Sequence, residues 1–199
     1  MISNNTRLLK KLKAILATRP ETADVILFGS AARGKERPND IDVLILFKER
    51  VNKETEYGIR KELERYCKNV SVISKTELTV LDESFDARES VLFEGRSLIT
   101  GKKLAEKYGF SSFGMFKYSF SGWDKLKKTK FYHALNGRAG KKGVADLLGC
   151  IKVSDSLILA PLEKIDEFRE FLDSWKAAYT YIPTLIPGRL GRKKILESA

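Results

Sequence analysis

Val25-Ile26-Leu27-Phe28-Gly29-Ser30-Ala31-Ala32-Arg33-Gly34, continued by Lys35-Glu36-Arg37-Pro38-Asn39-Asp40-Ile41-Asp42-Val43-Leu44-Ile45-Leu46-Phe47, is the stretch that decides the fold of this 199-residue chain. Two apolar runs, each of buried-strand length, flank a loop rich in Gly, Pro and charge. The first run ends in Gly29-Ser30 and the second opens with Asp40-x-Asp42. Alternate residues of a strand share a face, so Asp40 and Asp42 project together, roughly 7 Å apart at their backbones. Ile41 and Val43 turn the other way, into a core. Two carboxylates this close repel, and one is hard to ionise unless a cation lies between them. Hard oxygen ligands of this kind suit Mg²⁺, which takes one or two carboxylates together with substrate phosphates. Gly29 and Ser30 offer such phosphates a close backbone approach, a hydroxyl and the start of a short helix running to about Gly34. The pattern is that of a metal-nucleotide site.

Two simpler readings compete with it. Gly29-x-x-x-x-Gly34-Lys35 imitates a P-loop, but Glu36 stands where the Mg²⁺-binding Ser or Thr belongs, and Pro38 stops a long helix from following. An ordinary turn beside a solvated acid explains either half of the motif alone. It does not explain both halves, each at the correct end of an apolar strand.

Phe28-Gly29-Ser30, nine intervening residues and Asp40-Ile41-Asp42-Val43 together resemble the signature of the DNA polymerase β-like nucleotidyltransferases. The continuation Ser30-Ala31-Ala32-Arg33-Gly34 is most similar to the minimal nucleotidyltransferases of that superfamily. The resemblance covers about residues 1–105 and implies an α+β domain with a short mixed sheet. It implies that Gly29 and Ser30 hold a nucleoside triphosphate. Arg33, one turn after Gly29-Ser30, reads as an auxiliary phosphate or base contact, or simply as a surface charge. Asp40 and Asp42 would be the catalytic, metal-binding pair of a two-Mg²⁺ site. The reaction it implies moves a nucleoside monophosphate onto an acceptor hydroxyl of RNA, protein or a small molecule.

One departure from the family pattern stands out. The third carboxylate of these enzymes lies on a neighbouring strand, here Val70-Ser71-Val72-Ile73. With Val70 and Val72 in the core, Asn69 and Ser71 face the site, and neither is an acid. That leaves the two-metal site incomplete and removes a general base, at a cost on the order of 10²-fold or more in rate. Glu62 and Glu77 are the other acids considered for this place. The rival expectation is therefore a catalytically weak or inactive nucleotide- or RNA-binding module. A toxin–antitoxin partner is a further reading that rests on family analogy alone.

The composition, 43% apolar and 32% charged, is that of a globular protein long enough for one large or two small domains. No run approaches a membrane span, and Met1 through Thr6 lack a signal-peptide pattern, so the expected location is the cytoplasm. Cys67 and Cys150 are widely separated and read as core fillers rather than a disulfide. His133, the sole histidine, has no second metal-ligand type beside it and reads as a packing or surface residue.

The net charge of +11 is concentrated late in the chain, with eight basic residues against Asp124 between Lys117 and Lys142. Such a segment attracts nucleic acid or an acidic protein, or is simply a solvated lysine-rich face. Lys127, Lys128, Arg138, Lys141 and Lys142 are the nucleic-acid contacts it would supply.

Helical spacing of Leu8, Leu9, Leu12, Ile15 and Leu16 gives a helix over about 5–18, capped by Asn5 or Thr6. A charged helix over 52–67 turns Tyr57, Leu63 and Tyr66 inward. A helix through Leu81 and another from Ser84 to Gly95 follow the 70–73 strand. Arg96-Ser97-Leu98-Ile99-Thr100-Gly101 resembles the family's domain ending, and Gly109–Gly114 reads as a linker. The expected domains are therefore 1–108, the nucleotidyltransferase, and 109–199, a basic α+β domain for acceptor or nucleic-acid binding. The second half reads as strand 115–120, helix 122–135, helix 144–148, strands 150–153 and 156–160, helix 163–176 and strand 178–186. Gly137 through Gly143 reads either as a loop able to wrap phosphates, beside Arg138, Lys141 and Lys142, or as an ordinary interhelical loop. Trp123, Phe131, Tyr132 and Trp175 read as core, and Gly188 through Ala199 as a frayed basic end.

Overall fold

A computed structural model describes residues 5–33 and 40–189. The end of the helix expected at Gly34 and the tail beyond Arg189 lie outside the described residues. The chain divides into two compact units, residues 1–108 and 109–199.

The first unit is a four-stranded mixed sheet covered on both faces. Its elements are α1 (Thr6–Thr18), β1 (Thr22–Phe28), β2 (Ile41–Phe47), α2 (Lys53–Glu64), β3 (Val70–Thr76), α3 (Arg88–Glu94), β4 (Arg96–Ser97) and α4 (Leu104–Lys107). The strand order is β3-β2-β1-β4, with β1 antiparallel to β2 and β2 parallel to β3. A strand buried on both sides needs apolar residues at nearly every position, which is why β1 and β2 are unbroken apolar runs rather than alternating ones. Val25, Leu27, Ile41, Val43, Ile45 and Phe47 meet Leu8 and Leu12 of α1 and Ile59 and Leu63 of α2. On the opposite face Ile26, Phe28, Leu44 and Leu46 meet Val80, Phe85, Val91 and Leu104.

Local chemistry sets the ends of these elements. Asn5 caps α1 by accepting from the Leu8 amide, and Asn52 caps α2 by accepting from the Glu54 and Thr55 amides. Ser97 closes the domain: its hydroxyl donates to Asp24 Oδ1 and accepts from the amides of Ile99 and Thr100. Two expectations need correction. Tyr57 points to solvent, 62% exposed, because Ile59 and Leu63 take the buried face of α2. The helix expected through Leu81 is only a 3₁₀ turn, Thr79–Leu81, since β3 runs on to Thr76 and the two threonine hydroxyls bond each other.

The second unit contains β5 (Phe110–Ser119), α5 (Lys125–Asn136), β6 (Gly137–Arg138), β7 (Lys141–Lys142), α6 (Val144–Leu147), β8 (Ile151–Ser154), β9 (Leu157–Pro161), α7 (Ile165–Ser174) and β10 (Ala178–Pro187). Its main sheet is antiparallel throughout, in the order β10-β5-β9-β8. Phe116 and Tyr118, on one face of β5, bury against the helices: Phe116 packs edge-on to Phe168 of α7 and Tyr118 edge-on to Phe131 of α5.

The expected linker at Gly109–Gly114 is instead largely the first half of β5, paired along its length with the end of β10. Gly114 is small for a packing reason, because a Cβ there would lie 2.8 Å from Ile165 Cγ1. Gly137–Gly143, read as a phosphate-wrapping or an ordinary interhelical loop, is a tight hairpin, β6 paired with β7. Its glycines serve chain closure: a Cβ on Gly137 would lie 2.1 Å from the Lys141 carbonyl oxygen. Tyr132 is not core either. It is 52% exposed, while its neighbour Phe131 is fully buried.

Candidate active site

β1 delivers the chain to the site. Phe28 is the last residue of that strand and pairs with Asp42, so Gly29 emerges beside the start of β2. The backbone then turns through a single 3₁₀ turn, Gly29–Ala31, with the amides of Ala32 and Arg33 donating to the Gly29 carbonyl. The opening amides of such a turn have no partner within it and are oriented to meet an anion.

Gly29 is required twice over. Its φ is +71°, a conformation costly for a residue with a side chain. A Cβ would also sit only 2.6 Å from Asp42 Oδ2, so the Gly-Ser turn and the carboxylate are built in direct contact.

Asp42 is half-buried on the sheet face that carries Leu44 and Leu46, while Asp40, one residue before β2, is exposed. Burial, and secondly the charge of Asp40, push the Asp42 carboxyl above its ordinary range. Neither acid has a salt-bridge partner among the described residues. Two uncompensated carboxylates beside an anion-ready turn are the donor set a hard divalent cation takes with triphosphate oxygens. The described residues contain no group of three acids, cysteines or histidines placed to hold a metal by themselves.

The parallel pairing of β2 with β3 puts Ser71 directly opposite Asp42. Ser71 is exposed, and it shares its face with Ile73, which packs on the Leu44 side of the sheet. The position next to the acid pair is thus a hydroxyl. The other two acids considered are engaged elsewhere. Glu62 belongs to α2, on the opposite face of the sheet, where it pairs with Arg65. Glu77 follows β3, its amide donates to the Phe47 carbonyl at the far end of β2, and it pairs with Lys107.

Arg33, expected as a phosphate contact, is held by an acid that the sequence reading did not anticipate. Its Nη1 donates to Glu94 Oε1 of α3 at 2.5 Å. Glu94 is 9% exposed, and its Oε2 has no hydrogen-bond partner among the described residues. The two residues are 61 positions apart, so nothing local to either one announces the pair.

The residues expected to touch nucleic acid lie in the second unit. Lys127 Nζ sits 3.9 Å above the Trp123 ring, and Lys128 is exposed on α5. Arg138, Lys141 and Lys142 are exposed on the β6–β7 hairpin and have no acidic partner among the described residues.

Residues 10–102 match the family model described as "Polymerase beta, Nucleotidyltransferase". No curated protein matches the chain. Among solved structures, it is similar to a mutant of the toxin–antitoxin MntA–HpeT, with 17% identity and a TM-score of 0.37 over 50% of this chain and 78% of that one. A toxin–antitoxin crystal structure with AMP-PNP gives 19% identity and a TM-score of 0.37, again over 50% and 78%. A third similar structure is a tri-AMPylated Shewanella oneidensis HEPN toxin in complex with MNT antitoxin, at 17% identity and a TM-score of 0.33, over 51% and 76%. Likeness at this level says nothing of what the present chain binds or modifies.

Proposed function

Because residues 10–102 are a polymerase β-type nucleotidyltransferase domain, we propose that this protein binds a nucleoside triphosphate with Mg²⁺ and transfers the nucleoside monophosphate to an acceptor hydroxyl. The observation that carries the site assignment is the packing of the Gly29 turn against the Asp42 carboxylate. Gly29 and Ser30 hold the triphosphate through backbone amides and the Ser30 hydroxyl. Asp40 and Asp42 hold the divalent metal, which supplies charge stabilisation to the attacking and leaving oxygens when bound. Asp42 suits that role, since a bound cation favours the ionised carboxylate that burial first, and the Asp40 charge second, now oppose. Arg33 gives Nη1 to Glu94 and keeps its other guanidinium donors for a phosphate oxygen.

Ser71 favours a slow enzyme. A serine beside Asp42 donates or accepts a hydrogen bond, but it takes no proton near neutral pH. That same residue is the specific support for the second reading, a module that binds triphosphate and turns it over poorly. The acceptor, whether RNA, a protein or a small molecule, is assigned to the second unit. A toxin–antitoxin partnership draws on the family resemblance alone.

Transfer from an α-labelled triphosphate in Mg²⁺, compared among wild type, Ser71→Asp and Ser71→Asn, separates the two. The account expects Ser71→Asp to tighten metal-dependent triphosphate binding and to raise transfer, with Ser71→Asn matching wild type. Fast wild-type transfer indifferent to both changes would show that another group completes the site.

A further inference from the structure

The second unit contains a cavity of about 330 Å³ between α5 and the β8–β9 turn, an element pair the transfer site does not use. Phe120, Phe131, Tyr132 and Leu135 form its apolar wall, and its charged lining is Lys128, Lys152 and Asp155, two cations against one acid. Three features make it more than a dent in the surface. Tyr132, which lines the cavity, leaves half its area exposed. Lys152 Nζ lies 5.3 Å over that ring and pairs with Asp155 at 2.8 Å, so the ring and the cation are held together. Finally, Tyr118 is 2% exposed, packs edge-on against Phe120 and Phe131 behind the wall, and has a hydroxyl without a hydrogen-bond partner among the described residues.

An aromatic, half-open cavity with two lysines at its edge matches a planar ring attached to a phosphate. The segment that supplies Lys128 is itself basic, with eight basic residues against Asp124 from Lys117 to Lys142. We propose that this cavity takes one nucleotide of a single-stranded nucleic acid, the base against Tyr132 and Phe120 and the flanking phosphates at Lys128 and Lys152. Base–aromatic stacking tolerates any base, and the lysines supply the salt-dependent part of the affinity. Double helices keep their bases stacked within the duplex, so the cavity discriminates against them. Identifying this strand as the acceptor rests on the transfer reading above; the pocket itself does not.

The test is titration of fluorescently labelled heptamer oligoadenylate, as RNA and as DNA, into the full chain without triphosphate. Quenching of Trp123, whose ring lies 5.4 Å from both Phe120 and Phe131, provides a second signal from the cavity wall. Tyr132→Ala should weaken single-strand binding by about 5- to 100-fold, and Tyr132→Phe should restore it. Lys128→Gln with Lys152→Gln should flatten the dependence on salt. The relative affinities of the RNA and DNA strands show which of the two fills the pocket. A duplex should bind more weakly and be indifferent to Tyr132. Asp42→Asn should bind the single strand as wild type does, so a failed transferase leaves this test intact. Equal affinity in wild type and Tyr132→Ala, or no binding of either strand at low salt, would overturn the proposal.

Discussion

At the residue scale the site depends on what each side chain is pressed against. Asp42 carries a cost in the folded state, because burial and Asp40 raise its carboxyl above the unfolded value. A raised acid lends stability below its unfolded range and loses it as pH climbs through the folded one. Asp42→Asn should therefore melt higher than wild type at neutral pH in the absence of metal, with the advantage vanishing under acidic conditions. Differential scanning across pH checks this, and a mutant that melts lower at neutral pH would contradict it. Arg33 makes a different prediction, because it neutralises a buried acid. Arg33→Gln removes the charged partner of Glu94 and should destabilise the protein by about 1–3 kcal/mol, whereas a residue serving phosphate alone would leave the denaturation midpoint unchanged. Chemical denaturation of the nucleotide-free protein distinguishes the two outcomes.

What could be read from residues follows the same division. The meeting of Gly29 with Asp42 is legible because a motif within one strand-turn-strand carries both. The place of Ser71 beside Asp42 follows from strand periodicity once β2 and β3 are taken as neighbours. Glu94 was not legible, since its partner lies in a different element and an acid in a short helix reads as solvated.

At the element scale, the first unit was read more closely than the second. Strands β1 and β2 are continuous apolar runs, and α1 has both a helical stripe and a cap at Asn5. The second unit misled where glycine has more than one use. Gly109 to Gly114 looked like a linker because glycine and serine favour turns, yet Gly114 lies in β5 and makes room for Ile165. Gly137 to Gly143 reads only as a glycine-rich loop and is a hairpin, turned through Ala139 and Gly140 with positive φ at both. That closure predicts the response to Gly137→Ala. With φ at +88° and a clash at the Lys141 carbonyl, the hairpin cannot close as it does now. The expected result is faster amide exchange across residues 137–143 with exchange in β1 and β2 unchanged. Protection of the hairpin equal to wild type would refute the closure argument.

At the scale of the whole molecule, a unit that matches the polymerase β nucleotidyltransferase model over residues 10–102 is followed by a unit with its own aromatic core. No helix among the described residues is long and apolar enough to cross a membrane. Cys67 and Cys150 are free thiols; burial pushes the Cys150 thiol up to about 12 and shifts Cys67 in the same direction. The division of labour proposed here places metal and triphosphate on the first unit and acceptor choice on the second. Its foundation is the joint use of Asp40, Asp42 and the Gly29 turn. The most direct measurement is calorimetric titration of a non-hydrolysable nucleoside triphosphate into wild type and Asp42→Asn, each with and without Mg²⁺. The account predicts saturable binding to wild type that requires Mg²⁺ and is lost in Asp42→Asn, while the mutant stays folded. Equal affinity in both proteins, or wild-type binding indifferent to Mg²⁺, would contradict it.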